Sequence, residues 1–201
     1  MLGLIQVNNH FMYSIFYALF YLISLIPWPI IYLLSDGVAF LLRKVIKYRV
    51  DVVNHNLSIA FPNKSIQERQ QIASAFYQKF TDSFFETIKL ISMSENTFNK
   101  RFTSNVEVLN ELYATGQNVQ LMAGHFFNWE FANWGAAKYG KYPFIAVYMP
   151  LSNAFFDRLI LNMRKRYGSI MIPATNFKNQ FHKYAANGPY AMALAADQNL
   201  S

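Results

Sequence analysis

The chain has 201 residues, which is enough for one domain with a substantial hydrophobic core. It contains no cysteine, which excludes disulfides, thiolate zinc sites and cysteine nucleophiles. Hydrophobic residues make up 53% and charged residues 14%, a more apolar composition than that of an ordinary soluble domain. The formal net charge of +7 predicts an acidic partner, such as anionic lipid, nucleic acid or an acidic carrier protein.

The N-terminal region contains an uncharged segment, residues 11–34, that is long enough to cross a bilayer or lie deep in it. Basic residues follow it, and the positive-inside tendency places them, and the rest of the chain, on the cytoplasmic side. Pro27 and Pro29 interrupt the segment, so a tilted or re-entrant anchor is as compatible with the sequence as a straight span. A buried core helix of a soluble protein is the alternative. The basic residues are Arg43, Lys44, Lys47 and Arg49.

Two helices are predicted between this segment and residue 91. The first covers residues 50–62 and ends at Pro62. Ser65 and Glu68 form a capping box that begins the second, which runs over residues 66–91. Asp82 and Glu86 lie four positions apart on it, a spacing more typical of a solvated pair than of a shared site. The residues predicted to form its apolar face are Ile72, Ala75, Phe76, Phe80, Phe84 and Ile88.

Strands and helices alternate from residue 118 onward, after two short helices at residues 94–102 and 106–114. This alternation predicts βαβ units and a largely parallel sheet. In such sheets the functional residues collect at the carboxyl ends of the strands, where His125 and Asp197 fall. The first strand is short, apolar and bounded, which is typical of a buried strand. The predicted strands are 119–123, 143–148, 170–172 and 190–195, and the helices between them are 131–137, 152–167 and 176–186.

The loop after the first strand carries His125 and, five positions later, Glu130. Five helical steps would leave the two side chains about 140° apart, so they can converge only if His125 precedes the helix. Gly124 permits the turn, and Asn128 is a plausible N-cap. The pattern then favours a general base with an orienting acid. A histidine that only bonds the backbone, and a glutamate favoured by the helix dipole, remain the alternative.

Other candidate sites are weaker. A basic cluster, with Arg164 and Arg166 at its centre, is compatible with an anion or oxyanion site, although its spacing alone favours a solvated helix end. His55 and His182 have no acid at a matching spacing and are predicted to be structural or surface residues. One histidine and one glutamate are too few ligands for a metal, and no nucleic-acid motif is present. We therefore predict no metal, no cofactor and no nucleic-acid partner.

Several blocks in the chain resemble those of the lipid A biosynthesis (lauroyl/myristoyl) acyltransferase family, a branch of the lysophospholipid acyltransferase superfamily. They occur in the order of that family from about residue 15 to the end of the chain. The blocks are Tyr48-Arg49 with Asn56-Leu57-x-x-Ala60-Phe61-Pro62, Glu86 with Lys89, Gly124-His125-x-x-Asn128-Trp129-Glu130, Tyr148-x-Pro150-Leu151-Ser152-Asn153, Arg164-x-Arg166-Tyr167-Gly168, and Ala196-Asp197-Gln198.

The resemblance implies an α/β acyltransferase-like fold, a mainly parallel sheet flanked by helices, with an N-terminal membrane-anchor helix. It implies transfer of an acyl group from a thioester, usually on acyl carrier protein, to a lipid hydroxyl at the cytoplasmic face of the bacterial inner membrane. In that family's scheme His125 would be the base and Glu130 its orienting acid. Arg164, or as second choice Arg166, would stabilise an oxyanion or bind phosphate, Asn128 and Trp129 would shape the loop, and Asp197 would support the site.

The resemblance also predicts the domain organisation: a membrane anchor with its basic flank at residues 1–45, and an acyltransferase catalytic domain at residues 46–201. Family members continue past the Asp-Gln motif, so we expect this chain to lack a C-terminal part of the domain, either as a fragment or as a naturally short protein. The acceptor could be a lipid A precursor, a glycerolipid, an aminolipid or a glycolipid. A membrane-anchored binding or scaffold protein with a degenerate acyltransferase fold is the alternative function.

Overall fold

The computed structural model describes the backbone of residues 2–124 and 128–195, and the side chains of residues 13–124 and 128–194. The chain divides into two compact units. Residues 19–92 form the helical unit, and residues 1–18 with 93–201 form the sheet unit. The predicted boundary between anchor and catalytic domain at residue 45 stays a prediction.

The helical unit is built from four α-helices, the first of which also extends into the sheet unit. Pro27 lies at the break between the first and second helices. Pro29 lies in the first turn of the second helix, where a missing N–H costs little. The predicted capping box is confirmed: Oγ of Ser65 accepts from the Glu68 N–H at 3.2 Å, and the Glu68 carboxylate accepts from the Ser65 N–H at 2.8 Å. The helices are α1 (Leu2–Leu25), α2 (Trp28–Phe40), α3 (Val50–Ala60) and α4 (Ile66–Leu90), and a π-helical turn (Leu41–Val45) follows α2.

The predicted anchor segment falls on α1 and α2. Within residues 13–124 and 128–194, whose side chains the structure describes, no single helix is both long enough and apolar enough to cross a membrane. Tyr13–Leu25 and Trp28–Val45 pass that test only as a pair, by length and composition, and a bend of 111° separates them. The anchor helix therefore remains a prediction.

The buried face of α4 is not the predicted apolar stripe. Phe84 in that stripe is 58% exposed, whereas Thr81 and Asp82 are buried. The Ser35 hydroxyl of α2, which has one proton to donate, lies 3.0 Å from the Thr81 hydroxyl and 2.8 Å from the Asp82 carboxylate, and these contacts compensate the burial of both side chains. The interpretation of Asp82 as a solvated carboxylate is wrong for the same reason. The buried residues of α4 are Ala73, Tyr77, Thr81, Asp82, Lys89 and Leu90.

Lys89 is a buried cation that holds the break between α1 and α2. Its ammonium donates to the carbonyl of Ser24 at 2.6 Å and to that of Ile26 at 2.7 Å, and it lies 5.1 Å from the centre of the Trp28 ring. Carbonyls at the end of a helix lack intrahelical donors and attract positive charge. Lys89 therefore satisfies the polar backbone that the proline break exposes.

We expect Lys89→Met to lower the free energy of unfolding by about 3 kcal/mol, because two buried carbonyls lose a charged donor. Urea unfolding in detergent, followed by circular dichroism, measures this change. Lys79→Gln is the matched control: that side chain is 68% exposed, so its loss should change the free energy of unfolding by less than about 0.5 kcal/mol. Equal effects of the two substitutions would contradict the structural role of Lys89.

The sheet unit alternates strands and helices as predicted. The four described strands are all parallel and lie in the order β1-β4-β2-β3, so their carboxyl ends share one edge of the sheet. Ala123 pairs in register with Ala195, and Tyr148 with Pro173, at that edge. The elements are α5 (Glu95–Arg101), α6 (Val106–Ala114), β1 (Val119–Ala123), α7 (Trp129–Tyr139), β2 (Phe144–Tyr148), α8 (Ala154–Arg164), β3 (Ile170–Pro173), α9 (Phe177–Ala185) and β4 (Ala191–Ala195).

Hydrophobic side chains cover both faces of the central strands, as is typical of a parallel sheet. Phe144 packs with Leu109 and Tyr142 in one cluster, and Ile145 packs with Ile172 in another. The prediction that β1 is a buried strand is wrong, since Met122 is 66% exposed. β1 pairs only with β4 among the described strands and therefore lies at an edge of the sheet.

Helix α7 requires glycine at position 135. A Cβ placed there would lie 2.1 Å from the ring of Phe102, far inside van der Waals contact. The aromatic side chains Phe98, Phe102 and Trp134 pack together on this side of the helix, with Trp134 fully buried. This packing fixes α7, and α7 carries the predicted acid of the site.

Candidate active site

The carboxyl edge of the sheet is where the predicted base and acid fall in the chain. β1 ends at Ala123, Gly124 follows, and α7 begins at Trp129. His125 lies outside the described residues, as does Asp197. The structure therefore describes the acid of the predicted pair and its surroundings, and the pairing of His125 with Glu130 remains a prediction.

Asn128 occupies the N-cap position of α7, as predicted. Its backbone is left-handed, with φ 77°, a conformation that asparagine tolerates better than most residues. Its carbonyl accepts from the N–H of Phe131 at 3.1 Å, while its side chain does not cap the helix. Trp129 begins the helix and is 42% exposed. The chain thus makes a sharp turn into α7 directly before Glu130.

Glu130 is buried in the first turn of α7 and forms a two-pronged ion pair with Arg164 at the end of α8. Nη2 of Arg164 donates to Oε1 of Glu130 at 2.6 Å. Nε of Arg164 lies 3.1 Å from Oε1 and 3.0 Å from Oε2. The carboxylate side chain is 9% exposed and the guanidinium side chain 23%. A buried carboxylate is costly unless an opposite charge and hydrogen bonds compensate it, and Arg164 supplies both.

Two further side chains of α7 hold the end of α8 in place. Nδ2 of Asn133 donates to the Arg164 carbonyl at 3.0 Å, and the indole of Trp134 donates to the Met163 carbonyl at 2.8 Å. These carbonyls lie at the end of α8, where the regular intrahelical hydrogen bonds stop and the acceptors have room for side-chain donors. The backbone that carries Arg164 is thus bound to the helix that carries Glu130, which positions the guanidinium.

The basic cluster is more than a solvated helix end. Arg164 is bound to Glu130, and the guanidinium of Arg166 lies 5.1 Å from the centre of the Trp134 ring and 5.9 Å from that of Tyr167. Arg158 stacks over Tyr13, at 4.2 Å. The family resemblance offered Arg164 and Arg166 as first and second choice for one role, whereas the structure gives them different neighbours.

Tyr148 lies at the carboxyl end of β2, near Arg164 and Asp157. Burial raises the pKa of Tyr148, the negative charge of Asp157 raises it further, and Arg164 lowers it. The phenol therefore keeps its proton at neutral pH and can donate a hydrogen bond. Tyr148 belongs to one of the sequence blocks that resemble the family, but the sequence alone assigned it no role. Its position at the end of a strand was the signal that could have identified it as a site residue. Among the described residues, no three His, Asp or Glu side chains come close enough to hold a metal ion.

The sheet unit is a parallel α/β sheet, and a buried glutamate, Glu130, lies in the first turn of the helix that follows its first strand. The chain belongs to the bacterial lipid A biosynthesis acyltransferase family, whose model matches residues 4–201.

Three curated proteins are similar to this chain. It is 27% identical over 161 residues to a lipid A biosynthesis lauroyltransferase of Escherichia coli K12, an alignment that covers 79% of this chain and 51% of that protein. It is 21% identical over 154 residues to a lipid A biosynthesis palmitoleoyltransferase of the same organism and to a lipid A biosynthesis acyltransferase of Shigella flexneri, covering 76% of this chain and 50% of each. The chain spans about half the length of the curated relatives it matches.

We expect Arg164→Met to lower the free energy of unfolding by about 3 kcal/mol, since it leaves the Glu130 carboxylate buried without a counter-charge. Glu130→Gln should cost less, because the Arg164 side chain keeps some access to water. Urea unfolding of both single variants and the double variant measures the coupling, which should exceed about 1 kcal/mol. Arg166→Met, which removes a stacked cation from the same segment, is the control and should cost about 1 kcal/mol or less. Additive effects at positions 130 and 164 would contradict the pair.

Proposed function

We propose that this protein transfers a fatty acyl group from an acyl thioester to a hydroxyl group of a lipid A precursor or related membrane lipid, with His125 as general base and Glu130 as its orienting acid. The observation that carries this proposal is the buried Glu130 carboxylate, held by Arg164 directly after the loop that contains His125. A carboxylate prepared in this way is suited to stabilise an imidazolium.

The proposed reaction proceeds in two steps. The imidazole of His125 takes the proton of the acceptor hydroxyl while the hydroxyl oxygen attacks the thioester carbonyl, which gives a tetrahedral oxyanion. The carbon–sulfur bond then breaks, the imidazolium returns the proton to the departing thiolate, and an ester and a free thiol remain. The enzyme needs no oxidant or reductant for this exchange.

Glu130 has hydrogen-bonding capacity for both neighbours in this scheme. Its Oε1 accepts two hydrogen bonds from Arg164, and its Oε2 accepts one. Because each carboxylate oxygen has two lone-pair sites, Oε2 can accept another bond, and we assign it to the N–H of His125. Arg164 then offsets the charge of Glu130, so that the acid serves the histidine without being left uncompensated.

The remaining site residues keep the roles that the sequence predicts, as proposals. Arg164 has a further nitrogen, Nη1, that makes no hydrogen bond to the described residues, so the same guanidinium can also reach an oxyanion or acceptor phosphate; Arg166 is the second choice for that role. The left-handed Asn128 and the exposed Trp129 shape the loop. Asp197 supports the site.

The family and the charge of the chain support the proposed donor, acceptor and location. Relatives that are named for lauroyl and palmitoleoyl transfer in lipid A biosynthesis support a long-chain acyl donor and a lipid A acceptor. The net charge of +7 suits both an acidic acyl carrier protein and a phosphorylated lipid. The apolar N-terminal helices would hold the protein at the cytoplasmic face of the bacterial inner membrane, with the catalytic domain beginning near residue 46.

We expect His125→Ala to lower the turnover number for acyl transfer by about 10²- to 10⁴-fold, the contribution typical of a positioned general base. Glu130→Gln should lower it less, because the imidazole remains. The assay uses membranes that contain the full protein, radiolabelled acyl carrier protein thioester as donor and a lipid A precursor as acceptor, and it follows label in the lipid.

His182→Ala is the matched control, because it makes the same chemical change at an exposed histidine elsewhere in the sheet unit. Its transfer rate should equal that of the parent protein. Undiminished transfer by the His125 variant would remove the base assignment. Lipid binding without transfer by the parent protein would favour the scaffold alternative.

A further inference from the structure

The turn between α2 and α3 has an unusual backbone that the proposed chemistry does not use. The π-helical turn Leu41–Val45 is closed by the N–H of Ile46, which donates to the Leu41 carbonyl at 2.9 Å. Lys47 and Arg49 then both adopt left-handed backbone conformations, with φ 55° and 52°. Such conformations are costly for residues with long side chains, and π-helical turns and backbone strain are concentrated at functional sites.

This backbone places Tyr48 against α4. The Tyr48 carbonyl accepts from the hydroxyl of Tyr77 at 2.5 Å, and its ring stacks on Phe80 with centroids 6.3 Å apart. Tyr48 thereby forms one wall of an apolar groove of about 260 Å³ in the helical unit. The other residues that line the groove are Val38, Leu42, Phe80, Thr81, Phe84 and Phe85.

The basic turn, which comprises the four cations Arg43, Lys44, Lys47 and Arg49, is adjacent in the chain to the groove residues Leu42 and Tyr48. Arg43 is held by the Gln70 carbonyl at 3.0 Å. The other three side chains form no ion pair with any described acid, and all three are exposed. Lys47 and Arg49 flank Tyr48 in the chain, so their positive charge lies next to one wall of the groove.

The helical unit also exposes large apolar side chains. Leu33 is 70% exposed, Phe40 63% and Val45 62%. Phe76 and Phe84 of the α4 stripe, which sequence periodicity assigned to an apolar face, are exposed on the same unit. Large apolar side chains exposed in this number are typical of a surface that meets another molecule or a membrane. An acidic protein or a nucleic acid would match the charge but not the apolar groove.

We propose that the helical unit binds one anionic phospholipid of the bilayer, with its phosphate on the basic turn and part of one acyl chain in the groove lined by Tyr48 and Phe84. Both halves of the ligand have a counterpart. Lys and Arg side chains near a membrane surface attract anionic headgroups. A closed apolar cavity of about 150 Å³ already binds benzene, so a groove of this size takes a segment of hydrocarbon chain. None of these residues belongs to the candidate active site, and binding of this lipid does not depend on acyl transfer.

Fluorescence quenching by brominated lipids tests the proposal, with a reporter tryptophan introduced by Tyr48→Trp. The full protein is placed in nanodiscs of phosphatidylcholine that contain, at equal mole fraction, either phosphatidylglycerol or phosphatidylcholine with brominated acyl chains. The signal of the native tryptophans is subtracted with the parent protein. We expect the brominated phosphatidylglycerol to reach half-maximal quenching at a mole fraction at least about fivefold lower than the brominated phosphatidylcholine.

The combined substitution Lys44→Gln, Lys47→Asn and Arg49→Asn should abolish this preference; asparagine is chosen because it tolerates the left-handed backbone. The matched control is Lys64→Gln, Arg69→Gln and Lys79→Gln, which removes the same charge from other surface positions of the helical unit and should keep the preference. Phe84→Trp provides a second reporter on another groove wall, so the test does not depend on the fold tolerating a change at Tyr48.

Three outcomes would overturn the proposal. Equal quenching by the two brominated lipids would mean that the surface inserts without recognising a headgroup. Equal loss of preference in the control would assign the effect to overall charge rather than to the basic turn. Absence of quenching at both reporters would mean that no acyl chain enters the groove, and competition by a soluble acidic protein would then assign the basic turn to such a partner.

Discussion

The burial of Glu130 is the constraint on which the sheet unit depends at its functional edge. A carboxylate removed from water must be given a counter-charge and hydrogen bonds, or the helix that carries it will not pack. Arg164 meets that requirement from the end of another helix. Asn133 and Trp134 donate hydrogen bonds to the carbonyls of Arg164 and Met163 at the end of that helix. One charge thus accounts for the arrangement of α7 and α8.

The same ion pair connects two of the sequence blocks that resemble those of the family. Arg164 and Glu130 belong to separate blocks that are 34 residues apart. Their contact means that the arginine block can contribute to the acid as well as to a substrate. In the proposed mechanism Arg164 would serve both Glu130 and the substrate, so the strength of this ion pair would affect activity as well as stability.

Local patterns in the sequence were sufficient for most of the secondary structure. Period, caps and prolines predicted the alternation of strands and helices from residue 118, and the Ser65–Glu68 box marked the start of α4. The position of β1 at an edge was not predictable in this way. It depends on β4 returning to lie between β1 and β2, which is a property of the crossovers and not of the strand's own five residues.

Polar contacts between residues that are distant in the sequence were the second feature that local patterns could not predict. Periodicity identified an apolar stripe on α4 but could not predict that Thr81 and Asp82 would be buried instead, in contact with Ser35. The site shows the same limit. The sequence placed His125 and Glu130 five positions apart after the first strand. The family resemblance assigned Arg164 to an oxyanion or phosphate, and no spacing rule connects Arg164 to Glu130.

The contact of Lys89 with Ser24 and Ile26 also has a consequence for biosynthesis. The ammonium and the Ser24 carbonyl it binds are 65 residues apart, so the ribosome completes both apolar helices long before their clamp exists. Chains fold in part as they emerge, from the N-terminus onward. When α1 and α2 emerge from the ribosome, only the prolines therefore define the break between them. The geometry of that break is fixed later, when α4 has been synthesised and Lys89 can bind.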